Sequence, residues 1–200
     1  ESMIKSPIAT RAEVSDVANA VYDYTDAVML SGETASGKYP LEAVKVMRNV
    51  ITFTEEKNRV TDIRNLYEFE LTNKYQMICD SAFNLYKVLQ AKEQEVKGFI
   101  VFTQGGKTAR TMARYRPHTK IFAFCPNDSV TKSLSASFGV YAITQKSLKE
   151  KNEISKEDIQ NALNTLEEKG FAKKDDLFVI IHGDYWSSNE GASTIRLITY

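Results

Sequence analysis

The residues best equipped for chemistry lie in Thr103-Gln-Gly-Gly-Lys-Thr108, a small polar turn between the apolar run Val96 to Phe102 and a helical pattern. In a strand, turn, helix arrangement, Gly105 and Gly106 let backbone N–H groups approach a ligand closely. Thr103, Lys107 and Thr108 add hydroxyls and one positive charge, with Gln104 between them. Such a turn can cradle a phosphate. It lacks the P-loop spacing, with four residues between Gly and Gly-Lys-Ser/Thr, so ATP binding is not read from it. The same residues also suit an ordinary strand-to-helix turn, with glycines satisfying geometry and Lys107 facing water. A second polar cluster, Ser31-Gly-Glu-Thr-Ala35, ends the apolar stretch Asp26 to Leu30 at the kind of strand end where α/β folds place chemistry. Ser31 and Glu33 are its candidates. The competing reading has Ser31 and Thr34 capping the next segment and Glu33 in a structural ion pair.

Other reactive types lack company. His118 sits beside Pro117 and His182 ends an apolar run, neither with the Cys, His or carboxylate neighbours of a zinc site. Cys79 and Cys125 fall in apolar patterns and read as buried small hydrophobes rather than a disulfide or metal pair. No metal site is expected in the chain. Trp186 lies in a polar loop, where it could cover a sugar ring or pack across a subunit contact.

Two hundred residues allow one ample domain, or one domain plus a fragment. Twenty-six basic residues balance twenty-six acidic ones, and no concentrated basic patch suggests nucleic acid or an acidic membrane surface. The absence of a membrane-length apolar run or signal peptide leads to the expectation of a soluble cytoplasmic protein. The start at Glu1, without Met, suggests a piece of something longer.

In order, Thr10 and Glu13 offer a capping box for a short helix. Asp26 to Leu30 reads as a buried strand, and Pro40 opens a helix with Leu41, Val44, Met47, Val50 and Ile51 on its core side. Residues 55 to 70 are mixed and charged, as at a boundary. A helix over about 72–91 follows, then strands Val96–Phe102 and Lys120–Cys125 with a helix over Thr108–Tyr115 between them. A helix from Asp128 to Phe138 leads to a strand at Val140–Ile143, and Gln145 to Glu153 reads as a solvated loop. Ser155 and Asp158 offer another capping box, for a helix closed at Gly170. The strongest buried strand is Asp176–Ile181, followed by a polar run and a last strand, Thr194–Ile198. Repeated crossovers of this kind imply an α/β fold, a mainly parallel sheet flanked by helices, with the last strand in a hairpin at an edge.

Glu1-Ser-Met-Ile-Lys-Ser-Pro7, the run Thr10 to Val21, and Val28-Met-Leu-Ser-Gly-Glu-Thr-Ala35 followed by Gly37-Lys-Tyr-Pro40 closely resemble the closing part of the pyruvate kinase catalytic barrel. The resemblance continues through Thr103 to Thr108, Arg114-Tyr-Arg-Pro117 and the strand ending at Tyr200, and so covers essentially the whole chain. It implies that residues 1–57 are the last helix-strand-helix segment of a (β/α)8 barrel, 58–71 a boundary and 72–200 the C-terminal α/β domain. Members of the family are cytoplasmic, glycolytic, commonly tetrameric enzymes. They transfer phosphoryl between phosphoenolpyruvate and ADP with Mg2+ and usually K+, and their C-terminal domain often binds a phosphorylated allosteric effector.

By the same resemblance, the catalytic lysine, magnesium ligands and substrate-binding threonine precede Glu1, so the isolated fragment is expected to be inactive. Ser31 and Glu33 would line the active-site cavity. Arg11, Glu13 and Asp16 match polar positions near it, where capping and ion pairing are the simpler role. Thr103, Gln104, Gly105, Gly106, Lys107 and Thr108 match the effector phosphate loop, and Trp186 lies in a possible effector-contacting loop. Asp158 stands where an effector-binding arginine would sit, and Asp184 and Glu190 lie in the last loop. Carboxylates there would repel a second phosphate, which favours a monophosphorylated sugar effector, or none, over a bisphosphate. The alternatives are a non-catalytic phosphometabolite-binding module or an oligomerisation module.

Overall fold

Two units make up the chain, Glu1–Thr61 and Asp62–Tyr200, and the computed structural model describes residues 1–57, 62–150, 152–183 and 191–200. In the first unit, α1 (Arg11–Tyr22) begins at the expected capping box. The Glu13 amide donates to Thr10 Oγ1 at 3.3 Å and the Thr10 amide donates to the Glu13 carboxylate at 2.8 Å. After the single turn α2 (Gly32–Ala35), α3 (Pro40–Lys57) opens on proline, whose missing N–H would have lacked a helical partner anyway. Met3, Ala43 and Thr54 are buried, and Val46, Met47 and Val50 half-buried.

Two expectations for this unit need correction. Asp26 to Leu30 joins no strand ladder among the described residues, and Met29 is 84% exposed. A strand persists only when neighbours take up its backbone N–H and C=O groups, and the described residues of this unit supply no neighbouring strand. The expected core face of α3 is also rotated. Leu41 and Val44 are exposed, and Ala43 takes the buried position.

In the second unit, α4 (Lys74–Ala91) starts two residues after the expected position. The Gln76 side-chain oxygen accepts from the Thr72 amide at 2.8 Å and the Asn73 amide at 3.3 Å. Then come β1 (Val96–Phe102), α5 (Lys107–Ala113), β2 (Lys120–Cys125), α6 (Asp128–Ser133), β3 (Val140–Thr144), α7 (Lys156–Glu168), β4 (Leu177–His182) and β5 (Thr194–Thr199). The sheet order is β3-β2-β1-β4-β5, parallel except for β5, which runs antiparallel to β4. The fold is thus a mainly parallel sheet flanked by helices, and its last strand forms the edge hairpin.

Alternation along the strands feeds two cores. Phe99, Val101, Ile121 and Val179 pack with α4 and α5, whereas Ile100, Phe122, Phe124 and Phe178 pack with α7. With both faces covered, the strands read as continuous apolar runs, which is why β1 and β2 occupy the expected spans.

Two more expectations change here. α6 stops at Ser133, where the Ser133 and Ser135 hydroxyls donate to the carbonyls of Val130 and Lys132 at 2.8 and 2.7 Å, local bonds that compete with helix continuation. The run Gln145 to Glu153 contains a 3₁₀ turn, Lys146–Glu150, which sinks Leu148 completely into the α7-side core. No helix among the described residues is long and apolar enough to cross a membrane.

Candidate functional site

β1 is the second unit's first strand and lies in the middle of its sheet. From it the chain steps outward through β2 and β3, then returns over the opposite face through α7 to β4 on the other side of β1. The crossover direction therefore reverses between β1 and β4, and in open parallel sheets ligands bind beyond the carboxyl ends of strands at such a point. The turn Thr103–Thr108 follows β1 at that end.

The structure brings these six residues into one short connection. Thr103 is buried, and its amide donates to the Phe124 carbonyl of β2 at 3.1 Å, which fixes the turn to the sheet. Its Oγ1 accepts from the Gly106 amide at 3.1 Å. Gly106 therefore serves the turn itself, and its left-handed φ of 81° favours glycine. A Cβ there would come within 2.8 Å of Arg110 Nη1 and 3.0 Å of Leu134 Cδ2. The amides of Gly105, Lys107 and Thr108 have no acceptor among the described residues, as expected of a helix's opening turn. Gln104 and Gly105 are exposed and Thr108 is buried.

Arg110 went unnoticed in the sequence but braces the turn. It donates to the Gly105 carbonyl at 3.2 Å and to the Ser133 carbonyl and hydroxyl at 3.1 and 2.9 Å. Lys107 Nζ stands 4.9 Å from the ring centroid of Tyr75, a residue of α4 that sequence spacing does not connect with the turn.

Asp158 does not stand as a free carboxylate. It is 1% exposed and closes the capping box of α7, accepting from the Ser155 amide at 2.9 Å and hydroxyl at 2.6 Å. His182, on β4, has Nδ1 3.1 Å from the Gly183 carbonyl, an acceptor, so Nδ1 carries the proton in that contact. Trp186, Asp184 and Glu190 lie outside the described residues. Burial pushes the Cys79 thiol up to about 12 and the Cys125 thiol up to about 11, as for cysteines packed as hydrophobes.

In the first unit, Ser31 is exposed and its side chain caps nothing. The Glu33 carboxylate accepts from the Ser31 amide at 3.0 Å. The Glu13 carboxylate accepts from the amides and hydroxyls of Ser2 and Thr10. Among the described residues no three His, Cys, Asp or Glu side chains converge to hold a metal ion.

The second unit is therefore an α/β domain with a polar, glycine-containing turn at the switch point of its sheet. The family model "Pyruvate kinase, alpha/beta domain" matches residues 76–198, and "Pyruvate kinase, barrel domain" matches residues 1–44. Pyruvate kinases of Staphylococcus aureus strains USA300 and bovine RF122 / ET3-1 are each 40% identical over 188 residues, 92% of this chain and 30% of theirs. Two crystal structures of Cryptosporidium parvum pyruvate kinase have TM-scores of 0.81 and 0.80 at 31% identity. They cover 99% and 100% of this chain, and it covers 38% of each of theirs. The chain belongs to the pyruvate kinase family, spanning about a third of the length of these relatives.

Proposed function

We propose that the chain is the C-terminal part of a pyruvate kinase whose complete enzyme transfers phosphoryl from phosphoenolpyruvate to ADP, giving pyruvate and ATP. The observation that carries this reading is the ordered match of the barrel family to residues 1–44 and of the α/β family to residues 76–198. Residues 1–57 then close the barrel, 58–71 connect and 72–200 form the C-terminal domain of a homotetrameric enzyme. The exposed Ser31 hydroxyl, with Glu33 holding its amide, would line the active-site wall and order water there.

The complete reaction needs a metal and a basic group to neutralise the migrating phosphoryl, and a proton donor to the enolate carbon. Among the described residues no three His, Cys, Asp or Glu side chains converge on a site for Mg2+, and no step is assigned to either ion within this chain. This chain's own part is regulatory. The unpartnered amides of Gly105, Lys107 and Thr108, the Thr hydroxyls and the Lys107 ammonium receive the phosphate of a monophosphorylated sugar effector. The Ser155–Asp158 cap supports one phosphate over two, because the buried Asp158, bonded to Ser155, stands where the resemblance would place an effector-binding arginine.

The test has two arms. The complete protein containing this chain is assayed with phosphoenolpyruvate, ADP, Mg2+ and K+; phosphoryl transfer is expected, and its absence overturns the enzymatic reading. The chain is titrated calorimetrically with glucose 6-phosphate and fructose 1,6-bisphosphate. The monophosphate is expected to bind at least as tightly, and Lys107→Gln to weaken it about ten-fold or more. Binding of neither ligand leaves the turn an ordinary strand-to-helix connection in an oligomerisation domain.

A further inference from the structure

We propose that Tyr75 is a positioning residue for Lys107, holding its ammonium at the turn so that phosphate monoesters meet a cation already in place. The proposal rests on the phosphate reading of that turn. Lysine carries its charge on a flexible four-carbon stem, and an exposed ammonium ordinarily samples many rotamers. Lys107 is exposed and has no carboxylate partner among the described residues, yet its Nζ stands 4.9 Å from the Tyr75 ring centroid. The electron-rich ring face attracts the ammonium and leaves its N–H donors free for an anion.

An independent observation shows that the Tyr75 ring is itself held. Gly191, which precedes β5, has φ of 83° and lies so close to Tyr75 that a Cβ on it would come within 2.8 Å of Tyr75 Cβ and 3.1 Å of Cγ. Tyr75 also packs, partly buried, against the α4-side core. The ring therefore joins three places distant in sequence: the first turn of α4, the turn after β1 and the chain entering the strand paired with β4. β1 and β4 are the two strands between which the crossover direction reverses, so the ammonium is held where the switch point opens. Fixing it before binding removes part of the ordering cost that a ligand phosphate would otherwise bear.

The experiment compares the chain with Tyr75→Leu, Tyr75→Phe, Lys107→Gln and the Tyr75→Leu/Lys107→Gln double variant. Affinities for glucose 6-phosphate and inorganic phosphate are measured by calorimetry, alongside the NMR shift of the Lys107 ε-methylene protons. Tyr75→Leu is expected to weaken both probes about two- to five-fold, the scale of one exposed cation–π contact, and to abolish an upfield ring-current shift. Tyr75→Phe keeps the ring face, so it should stay within about two-fold of the parent and retain the shift, which also separates loss of the contact from loss of the fold. In the Lys107→Gln background, Tyr75→Leu should change nothing further.

Unchanged binding by Tyr75→Leu overturns the proposal while leaving the phosphate turn standing. An equal loss in the Lys107→Gln background overturns it too, because Tyr75 would then act through shape rather than through the ammonium. If neither probe binds the unsubstituted chain, the phosphate reading falls and takes this proposal with it.

Discussion

Phe178 and Leu41 are both large apolar residues on regular elements, yet Phe178 is completely buried against α7 while Leu41, on α3, is 69% exposed. The contrast extends to their units. Asp62–Tyr200 covers both faces of its sheet with its own helices, whereas Glu1–Thr61 leaves Ile8, Met29, Leu41 and Phe53 open. An amphipathic helix is stabilised mainly by what its apolar face meets, so α3 has the pattern of a core helix without a core to complete it. In the proposed complete enzyme the remaining barrel would supply that core.

The largest effect expected from this difference is at Phe178. Phe178→Ala removes a ring packed against Phe122 and the α7 side chains, and should destabilise the second unit by about 3–5 kcal/mol in denaturant titration. A loss below about 1 kcal/mol would mean that the core collapses readily around a hole, breaking the contrast.

A middle-sized effect is expected at Arg64, which bonds Asp62 at 2.6 Å and Asp80 at 2.9 Å and lies over the Phe83 ring. Arg64→Ala should cost the second unit about 1–2 kcal/mol, less than a fully buried pair because water still reaches these side chains. The Arg64 guanidinium, hydrogen-bonded to Asp62, lowers that carboxyl's pKa in the folded state. The resulting stability is therefore fully present above the ordinary aspartate value, about 3.9, and is lost as pH falls through the lowered one. Stability measured from pH 6 downward should fall less steeply in Arg64→Ala than in the parent, and parallel curves would remove the ion pair from the account.

The smallest effect is expected at Leu41 itself. Leu41→Ala should change the stability of the chain by less than about 0.5 kcal/mol. A loss above about 1.5 kcal/mol would show that α3 is covered in solution, by another copy of the chain, and concentration-dependent sedimentation would reveal it.

The same contrast governs how much the sequence discloses. β1 and β2 are legible to the residue because a buried parallel strand must be apolar on both faces, and Val96 to Phe102 and Lys120 to Cys125 satisfy that almost continuously. Capping boxes at Thr10 and Ser155 are legible because each needs only two side chains three positions apart. Asp26 to Leu30 has an equally good apolar pattern, but pattern cannot state whether a neighbouring strand exists. Leu148 was hidden among polar residues, because a 3₁₀ turn can bury one side chain without helical periodicity.

At the candidate site, the glycines and threonines are visible in sequence because they are contiguous. The brace from Arg110 is only partly so, because it reaches Ser133 as well as Gly105. Tyr75 is not, since the approach of α4 to the turn is a product of tertiary packing. Asp158 shows the same limit: its charge suggests repulsion of a ligand, and spacing alone does not say how far its carboxylate, which accepts from the Ser155 amide and hydroxyl at 2.9 and 2.6 Å, is buried.

The central position of β1 also has a consequence in time. Val96 pairs with Leu177, roughly 80 positions later, while the pairing of β1 with β2 needs only a short crossover. At about 5–20 residues per second of synthesis, one edge of β1 waits on the order of several seconds on a ribosome before its second neighbour exists. During that interval Phe99 to Phe102 present an apolar, half-paired ribbon, the kind of edge that invites another chain. Successful production of this molecule should therefore depend on the pace of translation and on chaperones that shield nascent strands.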